Sequence, residues 1–142
     1  TLTECDKVLE VMKEYGLERG KNDLQVYLMC EIPSNVIEAD TFSQYIDGVS
    51  IGGNDLLQLT LGIDRDSEKI ANLSDHTNIS YRRLISSAIK TYRENNIKVG
   101  FCGQQPSDSI EFCKFLIEEG IDSISVTADS VLKTFLKLSE LK

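Results

Sequence analysis

The sequence predicts an α/β fold of parallel βα units with about four strands. Four short, almost continuously apolar runs carry that prediction, at residues 25–30, 47–51, 97–102 and 121–126, and helical periodicity follows each of them. Strands that are apolar on both faces are typical of parallel sheets covered by helices, joined by right-handed βαβ crossovers. Two architectures satisfy this pattern: a small open doubly wound sheet, or half of an eight-stranded barrel.

The helices have recognisable starts and stops. Residues 2–15 repeat apolar side chains at steps of three and four, with Thr3 and Asp6 as a capping box and Gly16 as the stop. Pro33-Ser34 begins a second helix that continues to Tyr45.

The second half of the chain repeats these signals. Residues 81–92 give the apolar face of a longer helix, and Pro106-Ser107-Asp108 caps the next, which Gly120 ends. A last helix spans residues 131–138. We therefore expect a helix after every strand.

The second strand runs directly into Gly52-Gly53-Asn54-Asp55. Paired glycines permit a tight backbone path, and Asn54 and Asp55 can cap the short apolar helix at 56–61. The same two side chains also project where a ligand or metal could meet them. Gly-Asn-Asp is equally ordinary turn chemistry, so this turn alone leaves both interpretations open.

Length and charge narrow the classes of function. The 142 residues fit a single domain at 1–142, and a net charge of -8 without a basic run argues against nucleic acid and anionic membrane as partners. Apolar stretches of about five to seven residues are too short for a transmembrane helix or signal peptide. We expect a cytoplasmic protein.

Cysteine and histidine spacing argues against a zinc site. No Cys-x-x-Cys pair occurs among the four cysteines, and His76 is the one histidine that could add an imidazole ligand. The cysteines are Cys5, Cys30, Cys102 and Cys113. We expect free thiols in a reducing compartment, each by default a small buried apolar residue, and His76 as a surface residue.

Polar residues follow each predicted strand: Glu31, then Asn54 and Asp55, then Cys102, then Thr127. In a parallel sheet these positions share one edge, where barrel and doubly wound enzymes place their sites. Two carboxylates there suit Mg²⁺, with substrate oxygens and water as further ligands. The alternatives are a surface acid at residue 31, a helix cap at residue 55 and a core thiol at residue 102.

Three motifs in this order resemble the phosphoenolpyruvate-utilising enzyme family. They are Met29-Cys30-Glu31-Ile32-Pro33-Ser34-Asn35, the run from Asp47-Gly48 through Asn54-Asp55-Leu56 to Arg65-Asp66-Ser67, and Cys102-Gly103-Gln104-x-Pro106-Ser107-Asp108. The resemblance covers nearly the whole chain. Two segments favour the synthase branch of the family over the dikinase and sugar-phosphotransferase branches. They are the third motif and the run Gly120-Ile121-Asp122-Ser123-Ile124-Ser125.

The resemblance implies the carboxyl-terminal half of a TIM (β/α)8 domain that binds phosphoenolpyruvate and pyruvate. Partners would be that small-molecule substrate and the remaining domains of a parent enzyme, including the nucleotide-binding and phosphohistidine domains, without which the isolated chain should be inactive. The implied roles are Mg²⁺ binding by Glu31 and Asp55, phosphate contact by Asn54 and Arg65, proton exchange at the methyl carbon by Cys102, and pocket lining by Gly52, Gly53 and Gln104.

The sequence departs from the family pattern at two places. Gly53 stands where the family usually has Ser or Thr, so we expect water to replace a hydroxyl contact or the contact to be lost. Thr127-Ala128-Asp129 stands where Asn-Pro-Asp is usual. The competing hypothesis is a non-catalytic half-barrel that binds a ligand or partner, two copies pairing as a homodimer to cover open sheet edges.

Overall fold

The structure is a computed structural model that describes residues 1–64 and 75–140. A four-stranded sheet forms its centre, with every neighbouring pair parallel and the strands in the order β1-β2-β3-β4. The strands are β1 Tyr27–Cys30, β2 Gly48–Gly52, β3 Lys98–Cys102 and β4 Ser123–Ile124. The α/β prediction is confirmed. Because strand order follows the chain without reversal, the arrangement matches consecutive barrel strands rather than a doubly wound sheet.

Helices follow each strand, and a further helix precedes the first. Their bounds are α1 Leu2–Glu14, α2 Pro33–Ile37, α3 Ala39–Phe42, α4 Gly53–Leu61, α5 Ile79–Glu94, α6 Gln105–Asp108, α7 Ile110–Glu118 and α8 Val131–Ser139. Short 3-10 turns occupy Lys21–Asp23 and Ala128–Ser130. Across residues 1–64 and 75–140, no helix combines the length and apolar character that crossing a bilayer requires.

Three predicted helix starts were wrong. Helix α1 is capped by Thr1 rather than Thr3. Helix α4 begins at Gly53 with Gly52 as its N-cap, so Asn54 and Asp55 lie inside its first turn and do not cap it. Helix α7 is capped by Ser109, whose hydroxyl accepts from the Phe112 amide at 3.2 Å. Residues of the predicted cap Pro106-Ser107-Asp108 belong instead to the separate helix α6.

Two predicted elements differ in extent. The helix expected from Pro33 to Tyr45 is divided into α2 and α3 at Glu38. The fourth strand is paired only at Ser123–Ile124, opposite Gly100 and Phe101 of β3. The sheet is therefore well developed at β1 to β3 and short at β4.

One face of the sheet packs against helix α5. Strand residues Val49, Ile51, Val99 and Phe101 are fully or almost fully buried. From α5 the buried side chains facing this core are Tyr81, Ile85, Ala88, Ile89 and Tyr92. This is the periodicity of the predicted apolar face, with Leu84 at its margin.

Two aspartates, Asp47 and Asp122, connect the amino-terminal ends of neighbouring strands through hydrogen bonds. The Asp47 carboxylate accepts from the Val26 amide at 2.8 Å and from Arg19 Nε at 2.9 Å, and the Asp47 amide donates to Val26 O. Asp122 exchanges the same pair of bonds with Val99. Burial acts to raise the pKa of Asp47, but the bonds from Val26 and Arg19 outweigh it and lower that pKa below its ordinary value. These contacts fix the framework at the end of the sheet opposite the candidate site.

Candidate functional site

Strand register brings the candidate residues to one edge. Cys30 pairs with Ile51, and Gly52 pairs with Cys102, so the residues that follow β1, β2 and β3 leave the sheet at the same level. Glu31, the turn 52–55 and Cys102 therefore meet at the carboxyl end of the sheet, as the sequence predicted.

Cys102 is held by a serine on the neighbouring strand. Ser50 Oγ donates to Cys102 Sγ at 3.2 Å, and both residues are half-buried on the same face of the sheet. Sequence reasoning did not select Ser50. The available signal was that Ser50 is the one hydroxyl in the apolar strand 48–52. Only strand pairing reveals that it lies opposite Gly100, two residues before Cys102.

The other cysteines differ from Cys102 in their surroundings. All four are free thiols. Burial, together with the Glu31 charge, raises the pKa of Cys30 to about 12. Burial also raises the pKa of Cys113, whose Sγ donates to Pro106 O at 3.2 Å. Cys30 and Cys113 thus behave as the buried apolar residues that were expected, whereas Cys102 lies at the candidate site.

Glu31 crosses the end of β2 above a glycine. A Cβ on Gly52 would lie 2.8 Å from Glu31 Cβ and 2.9 Å from Glu31 Oε2, so only glycine leaves room for this carboxylate. Asp55 lies three residues after Gly52, where it is exposed in the first turn of α4.

The donor set fits a hard divalent cation. Among the residues that the structure describes, no group of three or more His, Cys, Asp or Glu side chains forms a metal-binding cluster. Glu31 and Asp55 offer two carboxylates and need other oxygens to complete a shell. That combination is typical of Mg²⁺, which keeps water and takes substrate oxygens beside one or two carboxylates.

Packing explains the glycine at residue 53. A Cβ there would lie 2.3 Å from Phe101 Cζ, 2.8 Å from Gln105 Oε1 and 2.9 Å from the Tyr81 hydroxyl. Tyr81 donates to Gly53 O at 3.0 Å, and burial raises the pKa of this phenol, which remains a donor. The Ser or Thr side chain of the family pattern has no space beside Phe101.

Asn54 is tied to the loop after β3. Its Oδ1 accepts from Gln105 Nε2 at 3.0 Å and from the Gln104 amide at 3.4 Å. The side chain of Gln104 is exposed and donates to Asp108 Oδ1 at 3.2 Å. Sequence reasoning selected Gln104 but missed its buried neighbour Gln105, for which the sequence carries no signal.

Other candidate residues fall in different places. Arg65 lies outside the described residues. Thr127 reaches the same edge, where its amide donates to Ser107 Oγ at 2.9 Å. His76 is less exposed than predicted: it is half-buried, with its ring edge-on to Phe112 at a centroid distance of 5.6 Å.

Comparisons with known proteins agree on one family. A family model described as PEP-utilising enzyme, PEP-binding domain, matches residues 1–142. A phosphoenolpyruvate synthase from Aquifex aeolicus is 57% identical over 142 residues, covering 100% of this chain and 17% of the relative. Synthases from Synechocystis and Escherichia coli are 54% and 46% identical over 142 residues, covering 100% of this chain and 17% and 18% of their lengths. The chain thus spans less than a fifth of these relatives.

Proposed function

Because the chain belongs to the family of PEP-utilising enzymes, within its PEP-binding domain, we propose that it supplies part of the phosphoenolpyruvate and pyruvate site of a synthase. The overall reaction would be ATP, pyruvate and water to AMP, phosphoenolpyruvate and phosphate. The phosphoryl group would come from a phosphohistidine on another domain. One observation supports this most: the register of β1, β2 and β3, in which Cys30 pairs with Ile51 and Gly52 with Cys102. It brings Glu31, Asn54 and Cys102 to one edge.

Glu31 and Asp55 are the residues that would hold Mg²⁺. Bound there, the ion supplies electrostatic stabilisation for negative charge that develops on the pyruvate carbonyl oxygen. Glu31 is directed by the space above Gly52, and Asp55 by its place in the first turn of α4.

Cys102 is the acid-base residue of the proposal. Its thiolate would remove a proton from the methyl carbon of pyruvate, the C–H electron pair would form the C=C bond, and the C=O π pair would move to oxygen. That enolate oxygen would then attack the phosphoryl group of the phosphohistidine, whose P–N bond breaks with its electron pair returning to the histidine nitrogen. In the reverse direction the thiol returns the proton to that carbon. The Ser50 hydroxyl orients Sγ through its 3.2 Å hydrogen bond.

Asn54 and the start of α4 provide donors for anionic oxygens. The first amides of this nine-residue helix have no partners within the helix, and its dipole favours negative charge. Arg65 and Gln104 are proposed as further substrate contacts on the strength of the family resemblance.

Calorimetric binding of phosphoenolpyruvate to the protein as its gene encodes it, with and without Mg²⁺, tests this function. Glu31→Gln and Asp55→Asn should each weaken Mg²⁺-dependent binding about tenfold or more, roughly 1.4 kcal/mol or above. The exposed α1 acids give matched controls, Asp6→Asn and Glu10→Gln, which should bind as the parent does. Binding that ignores Mg²⁺ and both site variants would refute the proposal.

Cys102→Ser tests the chemical step. This variant should retain ligand binding but lose exchange of pyruvate methyl protons with deuterated solvent, because a serine hydroxyl is far less acidic than a thiol. Cys5→Ser, on α1, is the control and should exchange normally. Equal exchange in both variants would remove Cys102 from the mechanism.

Exposed apolar side chains support a second candidate, a half-barrel that associates without turnover. Tyr15, just past α1, is 81% exposed, and Phe135 on α8 is 70% exposed. Such surfaces suit either further domains of the same polypeptide or a second copy of the chain. Light scattering that shows a dimer, together with no phosphoenolpyruvate binding at millimolar concentration, would favour this candidate.

A further inference from the structure

Gln105 joins the two loops of the candidate site through a buried carboxamide. The residue is 9% exposed and begins α6, directly after the loop that follows β3. Its Nε2 donates to Oδ1 of Asn54, in the first turn of α4, at 3.0 Å.

The orientation of the Asn54 amide follows from a backbone donor. The Gln104 N–H faces the same Asn54 atom at 3.4 Å, and because a backbone N–H can only donate, that atom is the oxygen. The Gln105 group that faces it must then be the NH₂. In the part of the chain that the structure describes, no residue accepts from Asn54 Nδ2, which leaves two N–H donors for a ligand.

Space for the carboxamide comes from two glycines. A Cβ on Gly103 would lie 2.5 Å from Gln105 Oε1, and one on Gly53 would lie 2.8 Å from it. The amide therefore occupies the volume that a side chain at residue 53 would need. The hydroxyl expected there from the family pattern is replaced by the end of Gln105.

Stability alone does not explain a carboxamide at this position. Gln105 Oε1 is buried and accepts no hydrogen bond from any described residue. An unpaired buried acceptor is unfavourable, and methionine would fill a similar volume without one. What the carboxamide adds is the hydrogen bond to Asn54.

We propose that Gln105 is a positioning residue that holds Asn54 with Nδ2 directed at the anionic oxygens of the ligand, whether phosphoryl or carboxylate. The inference rests on the proposed function, since it assigns a ligand contact to Asn54. A donor fixed beforehand in the ligand-binding rotamer avoids an ordering cost on binding.

Two measurements on the gene-encoded protein test this role together. They are its affinity for phosphoenolpyruvate in the presence of Mg²⁺ and its thermal unfolding temperature. Gln105→Met should unfold at the same or a higher temperature yet bind about five- to tenfold more weakly. Asn54→Ala should weaken binding at least as much, and the double variant no more than Asn54→Ala alone. Unchanged affinity in Gln105→Met, or multiplying effects in the double variant, would overturn the proposal.

Gln105→Glu provides a sharper variant. A carboxylate cannot donate to Asn54 Oδ1, so Asn54 should turn its Nδ2 towards Glu, losing its contact with the Gln104 N–H, and present Oδ1 to the ligand. Because an acceptor then faces an anion, binding should be weaker than in Gln105→Met. Equal affinities for the two variants would contradict the proposal, because only the shape of residue 105, and not its hydrogen bond to Asn54, would then affect binding.

A ligand-free readout separates this proposal from the proposed function. In a crystal structure of Gln105→Met, the Asn54 side chain should leave its parent rotamer or lose definition, whereas in Gln104→Met it should stay, since only the backbone of Gln104 contacts Asn54. If the parent protein does not bind phosphoenolpyruvate, the proposed function fails, and the Asn54 rotamer still decides whether Gln105 positions it. An unmoved Asn54 in Gln105→Met would refute the positioning role.

Discussion

Ser50 Oγ lies 3.2 Å from Cys102 Sγ and donates a hydrogen bond to it across the β2–β3 pair. Ser50→Ala removes this hydrogen bond, worth about 1 kcal/mol, so Cys102 Sγ loses the side chain that orients it. We expect iodoacetamide to alkylate Cys102 about two- to threefold more slowly, as measured by peptide mass spectrometry at neutral pH.

The control is Ser123→Ala. Ser123 lies on the same face of the sheet, where β4 pairs with Gly100 of β3, and its hydroxyl approaches Gly100 rather than Cys102. Its removal should leave the alkylation rate unchanged. The same slowing in both variants would mean that the Ser50 contact does not act on the thiol.

Cys30 should be unreactive in the folded protein. Its side chain is fully buried, and burial with the Glu31 charge raises its pKa to about 12, so the thiolate is scarce at mildly alkaline pH. Timed alkylation should therefore label Cys102 early and Cys30 only after denaturant is added. Labelling of both at one rate in native buffer would contradict the burial of Cys30.

Gly53→Ala should be destabilising by about 1–3 kcal/mol, because the new methyl group overlaps Phe101. Phe101→Leu removes the end of the ring, which lies 2.3 Å from the Cβ position of residue 53. Phe101→Leu should therefore lower the free energy of unfolding less in the Gly53→Ala background than in the parent chain. Chemical denaturation of the four proteins of this cycle gives the coupling free energy.

Gly100→Ala is the matched glycine variant. Its Cβ would meet Ser123 Oγ at 2.8 Å, a hydroxyl that can rotate away, so the loss of stability should be smaller than for Gly53→Ala. Equal losses would show that any side chain inserted at the sheet is unfavourable and that Phe101 has no special part.

Asp47→Asn should lower the free energy of unfolding by about 1.5–3 kcal/mol at neutral pH, since charged hydrogen bonds to Val26 and Arg19 are weakened. The folded-state pKa of Asp47 lies below the unfolded value of about 3.9, so this stabilisation is present above about pH 4 and is lost as pH falls through the folded pKa. The difference between parent and variant should therefore shrink at about pH 2.5.

Asp122→Asn provides the comparison for that experiment. Asp122 makes the same backbone exchange with Val99, but none of the described arginines donates a hydrogen bond to it as Arg19 does to Asp47. We expect a smaller loss at neutral pH. Urea denaturation curves for both variants measure the two losses, and a larger loss for Asp122→Asn would contradict the contribution assigned to Arg19.

The sequence by itself determined the class of fold and the edge on which the candidate residues meet. Apolar runs in alternation with helical periodicity are local signals, and in a parallel sheet the residues after each strand share one edge whatever the details of packing. Glu31, the turn at 52–55 and Cys102 could therefore be placed together before any coordinates. Their chemical roles remain proposals.

Only the tertiary structure decided which side chains contact one another. Ser50 meets Cys102, and Gln105 meets Asn54, across about fifty residues of chain, through strand register and loop packing that no local pattern encodes. The same holds for Gly53, which the sequence presents as a missing hydroxyl. Phe101 fills that space, so close packing of the start of α4 against β3, rather than local propensity, explains the glycine.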